Sequence, residues 1–401
     1  MGVQVSPLAP LLKEIIFNMN FFDHYSDAEL KFDNFINDNI LNYSHLRNYD
    51  FGIIKRDNVS NLSKYISHRV LFEFDLIDKT LRKYPFAKVE KFIQEIFWRV
   101  YWKNNLEFKT NVWNDFLKYD INSYTNANYI EAINANTDIE CFNEWVKELK
   151  EYNYLHNHTR MWFASIWIFS LKLPWQLGAR FFLEHLLDGD AAVNTLSWRW
   201  VAGLHTKGKH YIAKSWNIEK FTNLKFKNIN LNETPEPIIE EAEYTLNNVN
   251  YNSLNRQLSD TLIIFENDLF FSNQKILFSK YTHIFVIILD NSIRNIKLNE
   301  KVIDFKKELG ISFTNNVKNS TIISNKDIFQ KFKGIKNLDI VYPFIGENLD
   351  FINNFAKDHD IALNFLHRKE DVYCLEFSKK GFFNFKKNIP QIIQLFCKRS
   401  N

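Results

Sequence analysis

Between Tyr154 and Trp216 the chain gathers six of its ten tryptophans: Trp162, Trp167, Trp175, Trp198, Trp200 and Trp216. The same stretch holds five of its eleven histidines, His156, His158, His185, His205 and His210, with Arg160, Asp188, Asp190 and Arg199 among them. A segment that is both apolar and charged has to pair its charges wherever it is buried. Two readings fit: the wall of a polar ligand site inside a helical domain, or a Trp-rich core with one solvated face. Asp188-Gly189-Asp190 favours the first, because it falls between a helix and the next apolar segment, where carboxylates and free amides can face a ligand. Other reactive arrangements are not found. Cys141, Cys374 and Cys397 are scattered and make neither a disulfide framework nor a four-thiolate cluster. There is no Cys/His metal spacing and no nucleophile–base triad.

The order of residues is more specific than their types. His156-Asn157-His158-Thr159-Arg160-Met161, then Trp175, then Asp188-Gly189-Asp190-Ala191-Ala192-Val193-Asn194, then Trp198-Arg199-Trp200-Val201-Ala202-Gly203 resemble the flavin-binding domain of the photolyase/cryptochrome family. Upstream, Glu95-Ile96-Phe97-Trp98-Arg99 resembles the family's Glu-x-x-Trp-Arg, and Ser60-Asn61-Leu62-Ser63-Lys64-Tyr65 its phosphate loop. The resemblance covers roughly residues 45–222. It implies FAD, with Ser60, Leu62 and Ser63 at the pyrophosphate, Arg160 and Asp188 as an ion pair beside the flavin, Asp190 at the isoalloxazine edge and Asn194 next to flavin N5. It implies electron transfer through Trp198 and Trp175, with Trp113 or Tyr124 as the third member. It also implies that Trp98 and Trp200 flank a flipped pyrimidine dimer, that Glu95 bonds the base, and that Asn157 and Met161 line the same cavity, as in the cyclobutane-dimer subclass.

Departures from the pattern carry expectations of their own. The first arginine of the family's Asn-Arg-x-Arg run is His158, which predicts a weaker or pH-dependent grip on DNA backbone. Asn58-Val59 and Lys64 alter the phosphate loop, and Asn143 replaces an aspartate, which predicts lower FAD affinity. In the family an α/β domain precedes the flavin domain; here α/β-type sequence follows it. No glycine-rich phosphate fingerprint marks an antenna chromophore there, so a structural or docking role is expected for that part, with an antenna pocket left open.

These residues need a helical scaffold. Apolar spacing predicts helices over Leu71–Leu81, Val89–Tyr101, Phe142–Leu149, His156–Leu171 and Ala179–Leu187, and a helix over Tyr65–Leu81 behind the phosphate loop. Beyond a polar stretch at Asn223–Asn255, short apolar runs at Thr261–Phe265, His283–Leu289, Leu338–Val341 and Val372–Phe377 read as buried strands. Helices are predicted between and after them at Glu300–Leu309, Asn348–Asp358 and Phe383–Phe396. The expected fold is mainly α: an all-helical photolyase-type FAD-binding domain (1–225), a linker (226–257) and a smaller α/β, Rossmann-like domain (258–401).

The 401 residues are 46% hydrophobic and 24% charged with net charge +3, which excludes disordered and collagen-like classes and any global nucleic-acid signature. DNA contacts would come from local basic residues such as Lys103, Lys207, Lys209 and Lys214. No apolar run reaches the ~18 residues of a membrane helix. A cytoplasmic monomer acting on UV-damaged DNA, single-stranded or duplex, is the expectation. The leading reading is a light-driven carbon–carbon lyase for cyclobutane pyrimidine dimers. A cryptochrome-like photoreceptor is the alternative, which would have no need of Glu95, Trp98, Asn157, Met161 and Trp200 together.

Overall fold

The computed structural model describes residues 24–121, 126–239, 242–249, 251 and 256–397. Twelve α-helices come first among them: α1 (His24–Asp38), α2 (Tyr43–Leu46), α3 (Ser63–Ser67), α4 (Glu73–Lys83), α5 (Phe86–Glu107), α6 (Thr110–Lys118), α7 (Ala127–Ile133), α8 (Glu140–Tyr152), α9 (Asn157–Ser165), α10 (Trp175–His185), α11 (Ala191–Val201) and α12 (Ser215–Phe221). A parallel sheet follows, with β1 (Thr261–Phe265), β2 (His283–Ile288), β3 (Ser320–Ser324), β4 (Asn337–Val341) and β5 (Ala362–Leu366) in spatial order 3-2-1-4-5. Its helices are α13 (Lys275–Phe278), α14 (Glu300–Asn316), α15 (Ile328–Lys331) and α16 (Glu347–Asp358), followed by α17 (Lys369–Leu375), α18 (Phe382–Lys386) and α19 (Ile389–Phe396).

The 22-residue helix α5 is the central strut. Its apolar residues point to nearly every side, and Val89, Phe92, Ile93, Phe97, Val100 and Tyr101 are all buried. From Val100 to Glu107 the helix is buried on every side, whereas Lys88 and Lys91 in its first half reach solvent. Alternation along the strands divides the sheet between two cores. Leu262, Ile264, Ile284 and Val286 join the core of the helical part, whereas Ile263, Phe265, Ile287 and Ile340 face Ile352 and Ala356 of α16.

The structure corrects four sequence expectations. The helix predicted over Tyr65–Leu81 is two helices, because Arg69 turns the backbone left-handed (φ 50°) and its guanidinium is drawn into a buried ion cluster. Val372–Phe377, predicted as a strand, lies mostly in α17, whose first turn carries Glu370 and Asp371 as a helix N-terminus favours. Strands β3 and β5 escaped notice because, as sheet edges, they are half-buried and mixed in polarity. The Phe383–Phe396 helix divides into α18 and α19, with Pro390 in the first turn of the second.

Three joints fix the sheet against the helices. Arg69, 1% exposed, bonds Glu73 (3.2 Å), Asp268 (3.0 Å) and both carboxylate oxygens of Asp371 (2.6 and 2.8 Å); Arg368 adds a second guanidinium on Asp268 at 2.9 Å. Glu107, at the end of α5, accepts from the Tyr342 hydroxyl (2.7 Å) and the Ile345 amide (3.1 Å). At the sheet's switch point between β1 and β4, where such folds open a ligand crevice, the space is only about 70 Å³. Glu266 fills it, gripped by Arg294 (3.1 Å), Lys306 (3.2 Å) and Asn348 (3.2 Å). Gly346 (φ 152°) closes it against the helical part, since a Cβ there would stand 3.0 Å from that of Ala191.

Two measurements test these joints. Removing one partner from a buried ion cluster strands the others, so Arg69→Ala should cost about 3–5 kcal/mol in urea unfolding. Burial pushes the Glu107 carboxyl up to about 7, against the lowering effect of its Tyr342 and Ile345 bonds. The folded state therefore binds a proton that the unfolded chain releases near pH 4.5, and stability falls as pH rises through that window. Compared with Glu107→Gln, the parent should lose roughly 1.4 kcal/mol per pH unit between about pH 4.5 and 7.

Candidate functional site

A cavity of about 470 Å³ lies between α5, α9 and α11. Helical periodicity builds its walls. Glu95, Trp98, Arg99 and Trp102 are spaced i, i+3, i+4, i+7 and share one face of α5; Asn157, Arg160, Met161 and Ala164 repeat that spacing on α9. The loop Asp188–Asp190 and the α11 residues Asn194, Trp198 and Trp200 complete the enclosure.

Charge is concentrated at one end. Arg160 Nη1 lies 3.0 Å from Asp188. Burial alone would raise the Asp188 pKa, but the Arg160 and Arg99 guanidiniums outweigh it and hold the carboxyl below its ordinary range. Asp190 caps α11 through the Val193 amide (2.8 Å). Its burial is likewise outweighed, by Lys103 and Arg99 and by the helix amides. Asn194 Nδ2 donates to Ala179 O at 2.8 Å, which fixes the amide and leaves Oδ1 for the cavity. Arg99 Nη1 and Trp198 Nε1 are buried donors on this wall without a hydrogen-bond partner among the described residues.

The other end is aromatic. Trp98 stacks on Phe382 of α18 with ring centroids 3.6 Å apart and planes at 13°, while Trp102 stands 5.2 Å away. Trp200 stacks on Tyr211 at 5.8 Å. At the rim, Arg47 Nη1 donates to Glu95 Oε1 at 2.7 Å. Burial raises the Glu95 pKa in spite of that partner.

Ten residues singled out in the sequence thus share one cavity: Glu95, Trp98, Asn157, Arg160, Met161, Asp188, Asp190, Asn194, Trp198 and Trp200. The others stand apart from its lining. Ser60 and Ser63 flank the start of the five-residue α3, with Leu62 buried in the core and Ser63 beside Asp188. Trp175 is buried and stacks on Phe116 at 5.6 Å. Trp113 is 1% exposed and its indole donates to Asp350 at 2.9 Å, so it is no surface residue. Tyr124 lies outside the described residues.

One further expectation changes, and two departures from the family pattern gain a structural setting. Lys103, expected at DNA, is 1% exposed and sits 3.6 Å from Asp190, because α5 has no solvent face at that point. His158 bonds Asn48 O (2.9 Å) and the Tyr211 hydroxyl (3.3 Å); burial lowers its pKa, so it is a neutral hydrogen-bonding group and not a substitute cation. Asn143, in place of the family's aspartate, closes a turn with Thr137 through its own amide. Sequence reasoning missed Arg47, Arg99 and Phe382 as wall or backing residues. Arg99 was legible, one helical turn beyond Glu95; Arg47 and Phe382 arrive from distant segments with no local signal.

The donors suit an anionic, planar cofactor. A buried guanidinium nitrogen awaits an acceptor, an amide oxygen is fixed at the cavity, and an ion pair borders it. Comparison with known proteins agrees. Residues 92–238 match the FAD binding domain of DNA photolyase. The deoxyribodipyrimidine photo-lyase of Buchnera aphidicola subsp. Baizongia pistaciae is 28% identical over 177 residues, 41% of this chain and 36% of that protein. That of Streptomyces griseus is 28% identical over 152 residues, 37% of this chain and 33% of that protein. A cryptochrome DASH of Idiomarina loihiensis is 28% identical over 100 residues, 25% of this chain and 22% of that one. A bacterial class III photolyase from Agrobacterium tumefaciens aligns with 51% of this chain and 46% of its own at 22% identity and TM-score 0.42. The matches span about a third of the length of these curated photolyases. Residues 92–238 thus match an FAD-binding region of the DNA photolyase type, and the motif residues that resemble the photolyase/cryptochrome family gather around one cavity.

Proposed function

We propose that the protein binds FAD in this cavity and uses blue light to split cyclobutane pyrimidine dimers in DNA. The observation that carries the reading is the shared cavity: the ionic end formed by Arg160, Asp188, Asp190 and Asn194 opens directly onto the aromatic end formed by Trp98 and Trp200. Reduced FAD, when bound, supplies a photoexcited one-electron donor. The chain's own residues do the rest. Arg160 and Asp188 stand as an ion pair beside the flavin, Asp190 takes its isoalloxazine edge, and Asn194 offers an amide that does not titrate. Trp98 and Trp200 give flat walls to an unstacked dimer, with Phe382 behind Trp98 to keep its ring from turning. Glu95 bonds the base, and Asn157 and Met161 line the pocket beside it. The electron added to the dimer returns after ring opening, so the net reaction is redox-neutral.

DNA backbone contacts fall to Lys209 and its neighbours. Lys207 and Lys214 carry carboxylate partners, Glu243 at 3.1 Å and Glu233 at 3.5 Å, which DNA phosphates would have to displace. With His158 neutral and Lys103 buried, affinity for backbone is expected to be modest and the substrate held mainly by its flipped bases.

The test is anaerobic. Protein with chemically reduced FAD is illuminated with a thymine-dimer oligonucleotide, single-stranded and duplex, and thymine absorbance is followed. Light-dependent recovery is expected. Trp98→Ala should retain FAD but lose one stacking wall, about 1–3 kcal/mol, hence roughly 5- to 150-fold weaker substrate binding. Flavin-loaded, reducible protein that repairs neither strand form would reject repair and leave light sensing as the reading.

A further inference from the structure

Trp198 touches a tryptophan that lies outside the cavity lining. Its ring meets Trp167 edge-on, with centroids 6.2 Å apart and planes at 83°. Trp167 in turn meets Tyr129 edge-on at 6.0 Å and 84°. Trp198 and Trp167 are buried, while Tyr129, in α7, is part-exposed.

Two local features accompany this contact. The helix after Ser165 widens into a π-turn at Ile166–Ser170, where Leu171 N bonds Ile166 O at 2.9 Å. The extra residue in that turn rotates Trp167 about the axis, and π-turns recur at functional positions. Trp167 Nε1 is pinned to Pro174 O at 2.9 Å. Opposite, Gly178 leaves room for both indoles: a Cβ there would lie 2.5 Å from Trp198 Cζ3 and 3.0 Å from Trp167 Nε1. A glycine inside a helix costs about 1 kcal/mol relative to alanine, and here the ring approach is what it permits.

The route through Trp175 ends differently. Trp175 stacks on Phe116, whose benzene ring is too hard to oxidise to serve as a relay, and the Trp113 beyond it at 5.6 Å is buried and tied to Asp350.

Resting on the flavin assignment above, we propose that Trp198, Trp167 and Tyr129 form the path by which electrons from outside refill the light-excited oxidised flavin. Trp198 gives up one electron. Trp167 passes one electron to the Trp198 cation radical, and Tyr129 passes one to Trp167 while its phenolic proton leaves to water. A small-molecule thiol at the surface returns a hydrogen atom to Tyr129, and two thiyl radicals combine as a disulfide. Loss of the proton at Tyr129 makes the last hop hard to reverse, which a buried tryptophan terminus could not do.

The experiment follows the radical as well as the flavin. Full-length protein with oxidised FAD, carrying ring-deuterated tyrosine, is illuminated and trapped for electron paramagnetic resonance. A neutral tyrosyl signal is expected in the parent, and its loss, with several-fold slower thiol-supported photoreduction, in Tyr129→Phe. Trp167→Phe should do the same while retaining FAD. Tyr129 is part-exposed, so its variant carries the test if Trp167→Phe does not fold. In flavin-free protein, oxidation by azide radical should convert tryptophan radicals to tyrosyl radicals more slowly in Tyr129→Phe than in the parent. An undiminished tyrosyl signal in Tyr129→Phe, or loss of photoreduction in Trp175→Phe alone, would overturn the path. Repair with chemically reduced flavin should be unchanged in Tyr129→Phe, so failure of the relay and failure of the repair reading are separate results.

Discussion

A guanidinium buried among three carboxylates sets the geometry of the whole molecule. Taking Arg69, Glu73, Asp268 and Asp371 out of water is costly, and the cost is offset only where every charge meets a partner at short range. Arg368 supplies the fifth member and leaves one net negative charge in the cluster. Its members come from the turn after α3, from α4, from the end of β1 and from α17. The cluster closes only when helices and sheet adopt a single mutual arrangement. That arrangement brings the switch point of the sheet against Ala191, and Ala191 opens the helix whose cap, Asp190, lines the cavity.

Seen this way, the two ends of the cavity have different origins. The ionic end is local to the helical part: residues on α9, α11 and the loop between α10 and α11 find one another within about 40 positions of sequence. Cations from α5 also contribute: Arg99 joins Arg160 at Asp188, and Lys103 and Arg99 act on Asp190, which holds both buried carboxyls below their ordinary range. The aromatic end is assembled from afar. Trp98 takes its face-to-face contact from Phe382, on the far side of the sheet in sequence. The α/β part thereby backs the pocket wall through Trp98 without lining it, and its own switch-point crevice is occupied by Glu266, Arg294 and Lys306.

What could be read from sequence follows the same division. The residues of the ionic end were legible because they lie in short motifs on single helices, where spacing alone decides which side chains meet. The central strands β1, β2 and β4 were legible as apolar runs because both faces of a parallel sheet are covered. Lys103 was misjudged because its charge suggests solvent, and only the packing around α5 shows otherwise. The break at Arg69 could not be foreseen: the periodicity runs through it, and the partners that bend the chain there lie about 200 and 300 positions away. Phe382 carried no signal for the same reason.

The stack of Phe382 on Trp98 also has a meaning in time. Phe382 lies 161 positions after Phe221, the last residue of the helical series. At about 5–20 residues per second, a ribosome takes roughly 8–32 s to cover that distance. During that interval the helical part waits in the cell with α5 lacking its cover, exposing Trp98, Phe97 and Tyr101, which later pack against Phe382 and Phe385. Rings left bare for that long are open to association with other chains until Phe382 and Phe385 arrive to cover them.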